Sequence, residues 1–200
     1  MLNPFGRIIK TGFLAFAVAG IALTAGCSDE VKDDVDLNRV LDVTADTLTT
    51  FQKKVDAVPE KDRHPDKAFL EFTKDLQDNF NKAQPPVYNK GAVLASAQTD
   101  ASIMAYSDTN QNGKGDRGEE IFMIEIDGQK NRIIATSYTG AVSDHSFSGT
   151  GFLAGYLVSS LLNRQRAAGV DTNKLSNKSR VSATQAARSR AGSGSHSKGK

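Results

Sequence analysis

An α+β domain, a pair of helices covering a small antiparallel sheet, is the fold class this chain of 200 residues predicts. Two observations carry it. Apolar residues recur at three- and four-residue intervals through 37–84, then at two-residue intervals through 91–139. Pro85-Pro86 stands between the two regions and separates a helical layer from a sheet.

The first helix rests on Leu37, Leu41, Thr44, Leu48, Phe51, Val55 and Val58, one apolar seam that Pro59 ends. The second rests on Phe69, Phe72, Leu76, Phe80 and Ala83, after Pro65. A short charged connection makes the pair (37–84) an antiparallel hairpin whose seams form core. About four strands follow. Residues 92–97 and 102–107 flank a Gln98-Thr99-Asp100 turn. Residues 119–127 place Phe122, Ile124 and Ile126 on one face, with Ile121 and Met123 on the other. Asp127-Gly128 opens a turn into 132–138. A short apolar helix is expected at 151–164. Its Gly151, Gly155 and Ser159 lie four apart, so 151–162 reads either as a third core helix or as a surface for self-association or for docking against a membrane or partner. At about 18 Å it is too short to cross a bilayer.

Beyond residue 169 the composition is Ser, Ala, Asn, Gly and Lys/Arg, which predicts a disordered tail through 200. Charge divides sharply here. Residues 163–200 hold nine Lys/Arg against Asp171, a net of +8. Residues 27–162 hold fourteen bases and twenty-two acids, a net of −8. Arg164, Arg166, Lys174, Lys178, Arg180, Arg188 and Arg190 are therefore the candidate polyanion-binding set; a merely solvating tail is the alternative.

The N-terminus reads as an address. Arg7 and Lys10 precede a charge-free stretch, 11–26, that ends Leu23-Thr24-Ala25-Gly26 before Cys27, the one cysteine of the chain. A single cysteine allows no intramolecular disulfide and none of the usual Cys/His zinc or iron–sulfur sets. The arrangement resembles the lipobox of bacterial lipoprotein precursors. That resemblance implies a signal peptide at 1–26, a diacylglyceryl (and amide-linked acyl, palmitate-type) anchor on Cys27, and a tether at 27–36. Ser28 after the cysteine implies the periplasmic face of the outer membrane. Export argues against nucleic acid as the tail's partner and for lipid headgroups, cell-wall carboxylates, lipopolysaccharide phosphates or a partner protein.

One motif carries chemistry. Residues 108–119, Asp-Thr-Asn-Gln-Asn-Gly-Lys-Gly-Asp-Arg-Gly-Glu, match D-x-[DN]-x-[DN]-G-x5-E at every specified position. Calcium takes six to eight hard oxygens, and alternate side chains of a curled loop converge on one point. Asp108, Asn110 and Asn112 supply side-chain oxygens, Lys114 its backbone carbonyl, Asp116 a direct or water-mediated ligand, and Glu119 both carboxylate oxygens. Gly113 permits the sharp turn. The loop resembles the EF-hand and its bacterial relatives, but departs from them at Gly115, where an aliphatic residue is usual, and in its strand-like flanks. Lys114 and Arg117 oppose three acids, so affinity of roughly 10⁻⁴ to 10⁻³ M is expected. The alternative is a polar hairpin loop held by Asx turns.

No catalytic constellation stands out. Asp144-His145-Ser146 is a tempting triplet, but adjacent residues do not ordinarily form a relay. The leading functional expectation is a non-enzymatic envelope lipoprotein with one structural calcium; the alternative is an envelope hydrolase acting on cell-wall or lipid substrates.

Overall fold

The computed structural model describes residues 34–149 and 151–193. The expected signal peptide, Cys27, the expected tether up to residue 33 and the last seven residues lie outside that range. The elements run α1 (Leu37–Asp56), α2 (Pro65–Lys82), β1 (Val93–Ala97), β2 (Ile103–Ser107), β3 (Glu120–Asp127), β4 (Arg132–Ser137), β5 (Val142–Ser146), α3 (Gly151–Ala154), α4 (Tyr156–Ala167), α5 (Thr172–Ser176) and α6 (Ala183–Ser193).

The helical pair forms as its seams require. Asp36 caps α1 by accepting the Arg39 N–H at 3.0 Å, and Lys53 and Lys54 suit the negative end of its dipole. Every seam residue from Leu37 to Val55 is buried, while Val58, past the helix end, is exposed. Pro65 opens α2, where its missing N–H costs nothing. Phe51 meets Phe72 edge-on at 5.6 Å, and Phe80 meets Phe122 of β3 at 5.4 Å, which fastens the pair to the sheet. The fold begins earlier than the expected tether allows. Val35 is buried and bridges Tyr88, and the Asp36 N–H reaches the Val87 carbonyl at 3.0 Å.

The sheet has five antiparallel strands in sequence order, one more than expected. The added strand, β5, reads Val-Ser-Asp-His-Ser and offers almost no apolar pattern. Its ladder to β4 places it, not burial of its side chains. Both sheet edges are covered. On β1, the Asn81 carboxamide bonds the N–H and the C=O of Val93, both at 2.8 Å, and Gln77 accepts the Ala95 N–H at 2.9 Å. On β5, Val142 and Val181 exchange backbone hydrogen bonds at 2.8 and 2.9 Å. Unpaired edges are thereby satisfied on both sides. One face of the sheet, with Ile103, Ala105, Phe122, Ile124, Ile126, Ile133 and Ala135, closes the main core beneath the helices.

Two expectations are corrected. The segment 151–164 is not one helix. Gly155, with φ −66° and ψ 141°, breaks it into α3 and α4. A Cβ at Gly155 would lie 2.6 Å from Gln52 Oε1, the atom that accepts the Leu157 N–H at 3.1 Å. Gly155 thus admits a side chain of α1, and the stripe of small residues is not a continuous helix surface. Leu157, Val158 and Leu161 are fully buried, so α4 is a core helix.

The region from 169 onward is not disordered as far as residue 193. Gly169 turns left-handed (φ 71°) after α4, and Asp171 caps α5 through the N–H groups of Asn173 and Lys174. Leu175 and Ala186 are buried. Few large apolar groups hold this segment; backbone bonds between Val181 and Val142 and ion pairs of Lys178 and Arg180 with the sheet hold it as well.

Candidate metal-binding loop and the charged second face

The loop 108–119 joins β2 to β3, so its two ends are fixed by the ladder. The Ser107 N–H donates to the Glu119 carbonyl at 2.8 Å. Within it, left-handed backbone at Gln111 (φ 56°), Gly113 (φ 71°) and Gly118 (φ 94°) produces the curl. The Asp108 carboxylate accepts the N–H of Asn112 and of Gly113, both at 2.9 Å. Asn110 Oδ1 accepts the Asn112 N–H at 3.0 Å, and Asn112 Oδ1 accepts the Lys114 N–H at 2.8 Å. These are the Asx turns the sequence allows. The Nδ2 groups of Asn110 and Asn112 both donate to Asp116 Oδ2, at 2.8 and 2.7 Å. Glu119 closes the loop: Oε1 accepts from the Thr109 hydroxyl and, at 3.1 Å, from its N–H, and Oε2 accepts the Asp116 N–H at 3.3 Å.

The five side chains named from sequence are therefore brought together, all exposed or half-exposed. Hydrogen bonds from the Asn110 and Asn112 amides hold the Asp116 carboxyl below its ordinary pKa, and the Thr109 hydroxyl does the same for Glu119. The donor set fits calcium in kind: hard oxygens in ligand order around a tight curl. Among the described residues, however, no three His, Cys, Asp or Glu side chains are grouped closely enough to hold a metal unaided. The Asn oxygens and the Lys114 carbonyl would have to complete any shell.

Gly115, the position that departs from the EF-hand pattern, has a structural cause. A Cβ there would lie 2.4 Å from Tyr106 Cδ2. The loop lies down on the Tyr106 ring of its own sheet, so no second loop is needed to support it.

The basic set is only partly available to a partner. Arg164 pairs with Asp66 and lies over the Phe69 ring at 5.4 Å. Lys178 pairs with the shielded Glu125, and Arg180 with Asp144. Arg166, Lys174 and Arg188 are exposed; Arg190 is exposed as well but is engaged in a contact within the protein.

Sequence reasoning missed the organising group, Arg132. It is buried, with Nε 2.9 Å from Asp127 Oδ2 and Nη1 3.3 Å from Asp144 Oδ2. Its Nη2 donates to the carbonyls of Leu175, Ser176 and Lys178 at 3.2, 3.1 and 3.0 Å, holding the end of α5 against the sheet. Asp127 Oδ1 meanwhile accepts the N–H groups of Gln129 and Lys130 and so shapes the β3–β4 turn. Burial pushes the Asp144 carboxyl up, but hydrogen bonds and charge from Arg180 and Arg132 more than offset this, leaving it below the usual range. A signal did exist: Asp127 and Arg132 bracket a Gly-containing turn, and in a hairpin they face each other across the strands.

His145 lies in β5, its ring 4.9 Å from that of Phe147 and tilted 58° to it. Neighbours along a strand point to opposite faces, so Asp144 and His145 diverge, and no relay forms. Among the described residues no helix is long and apolar enough to cross a membrane. Comparison with protein-family models, curated proteins and solved structures finds no match to this chain.

Proposed function

We propose that this chain is a lipid-anchored protein of the bacterial cell envelope that acts by binding rather than by catalysis. Acyl chains on Cys27 would hold it at the membrane, on the periplasmic face of the outer membrane. Each buried methylene contributes about 0.8 kcal/mol, so two or more chains anchor stably without a spanning helix. Residues 108–119 would take one structural calcium through Asp108, Asn110, Asn112, Asp116, Glu119 and the Lys114 carbonyl. The ion would supply charge compensation to three carboxylates and stiffen the β2–β3 corner. The exposed bases of the C-terminal segment, Arg166, Lys174, Arg188 and Arg190, would meet an envelope polyanion.

The observation that carries this reading is the chain of hydrogen bonds that curls the loop, with Asn110 and Asn112 on Asp116 and Glu119 closing it end to end. Two measurements test it. Mass spectrometry of the native protein should find Cys27 acylated at a new N-terminus; an unmodified thiol on an uncleaved chain refutes the anchor. Thermal melting of the mature chain should shift upward at millimolar calcium, and Asp108→Asn with Glu119→Gln should abolish the shift. A melting temperature indifferent to calcium refutes the metal.

A further inference from the structure

A five-stranded meander sorts its connections to two ends. The start of β1, the β2–β3 loop and the β4–β5 turn share one of them. The helices obey the same division. α1 begins at this end, where the Ser143 hydroxyl donates to Asn38 Oδ1 at 2.9 Å. α2 finishes there, with Asn81 bonded to Val93. Asp34 belongs to the same end, since its carbonyl accepts the Asn89 N–H at 3.0 Å.

Three features gather at that end. The first is the chain entry. Asp34 is seven residues past Cys27, and whatever course those residues take they span at most about 25 Å. The second is Tyr138, which is 74 % exposed in the β4–β5 turn. The third is α6. Its Ala186 Cβ stands 3.8 Å from where a Cβ on Gly140 of that turn would be. α6 carries Arg188 and Arg190 and no acid, and the sequence beyond it adds Lys198 and Lys200. The acidic 108–119 loop shares the end but stands at the β2–β3 corner, two strand spacings, about 10 Å, from the β4–β5 corner.

We propose that this end of the sheet is the membrane-facing surface: Tyr138 sits at the headgroup layer, and α6 lies against the anionic phosphates of the bilayer that holds the acyl chains. The inference rests on the lipid-anchor reading and names its polyanion. A short tether keeps the chain entry near the bilayer. Tyrosine favours the water–hydrocarbon boundary, and arginines near an anionic leaflet are attracted within a Debye length. The opposite end, with the turn Glu60–Asp62 and the start of α2, is then the surface left for periplasmic partners.

The chain has no tryptophan, so Tyr138→Trp creates a single reporter, and Leu70→Trp, at a 63 % exposed site near the start of α2, creates its counterpart. The full acylated protein is reconstituted in phosphatidylethanolamine–phosphatidylglycerol vesicles containing brominated lipid. Tryptophan at 138 should emit to the blue and be quenched several-fold more than tryptophan at 70. Arg188→Gln with Arg190→Gln, high salt, or purely phosphatidylcholine vesicles should each reduce the quenching at 138. Water-like, unquenched emission at 138 in protein that mass spectrometry shows to be acylated overturns the orientation and leaves the anchor standing. Equal quenching at 138 and 70 overturns it too, and quenching indifferent to the arginine substitutions removes α6 from the contact. An unacylated Cys27 overturns the anchor and this inference together.

Discussion

The two faces of the sheet are held by different physics. The helix-covered face is apolar and continuous, with Phe122, Ile124, Ile126 and Ile133 meeting Phe72, Leu76, Phe80 and Leu161 in a single core. The other face joins a smaller apolar set, Ile134, Leu175 and Ala186, to a network of ions. Glu125, Asp127, Arg132 and Asp144 are shielded there and take Lys178, Arg180 and the carbonyls that end α5 as partners. The near-equal opposition of an acidic body and a basic C-terminal region is thus in part an internal complementarity: Arg164, Lys178 and Arg180 all close on acids of the body. What reads as a tail built for a partner is also a third layer of the fold.

The sharpest way to break this comparison is Arg132→Ala. It leaves Asp127, which is 1 % exposed, and Asp144 without their shared cation, and it frees three carbonyls at once. Removing one partner of a buried ion pair costs about 3–5 kcal/mol, comparable to a large-to-small change on the apolar face such as Leu76→Ala, at about 2–5 kcal/mol. The two losses should differ in character. Chemical denaturation should show both, but limited proteolysis under native conditions should cut residues 170–193 early in Arg132→Ala and not in Leu76→Ala. If both variants resist cleavage there equally, the ionic layer does not hold the segment.

That contrast also explains what could be read in advance. The helical pair and four of the strands follow from periodicity, because burial of apolar side chains leaves a periodic trace in the sequence. The loop follows from spacing, because convergent oxygens need alternate positions. β5, α5 and α6 left no such trace. Val-Ser-Asp-His-Ser is placed by backbone pairing, and α5 by Arg132, forty-three residues away from Leu175. Long-range ion pairs have no period. The break at Gly155 was equally hidden, since it answers to Gln52, a partner more than a hundred residues earlier.

A smaller effect sharpens the difference between locally and distantly supported segments. Gly115→Val places new atoms in the space of the Tyr106 ring, where even a Cβ would stand at 2.4 Å. Overpacking of this kind costs about 1–3 kcal/mol. Because the loop lies on that one ring, Tyr106→Ala should rescue most of the loss, and a double-mutant cycle should show strong coupling. Additive losses would mean that the loop takes its shape from its own hydrogen bonds alone.

The smallest effect is the pH dependence of stability, and it separates the two charged regions most cleanly. The carboxyls of Asp116, Glu119 and Asp144 all titrate below their ordinary values in the folded chain. For a depressed carboxylate the unfolded chain binds the proton first, so its contribution is complete above the unfolded pKa, about 3.9 for Asp and 4.3 for Glu, and fades as pH falls through the lower folded value. The melting temperature should therefore decline below about pH 4 to 5. Asp116→Asn and Asp144→Asn should each make that decline shallower, whatever they do at neutral pH. Salt should tell the two apart. Asp116 is held down chiefly by the neutral amides of Asn110 and Asn112, which salt does not screen, whereas Asp144 owes its depression to the guanidinium groups of Arg180 and Arg132, of which Arg180 is exposed. In molar salt the slope removed by Asp116→Asn should persist while that removed by Asp144→Asn shrinks. The reverse order would mean that the charges facing Asp144 are shielded well enough to escape screening.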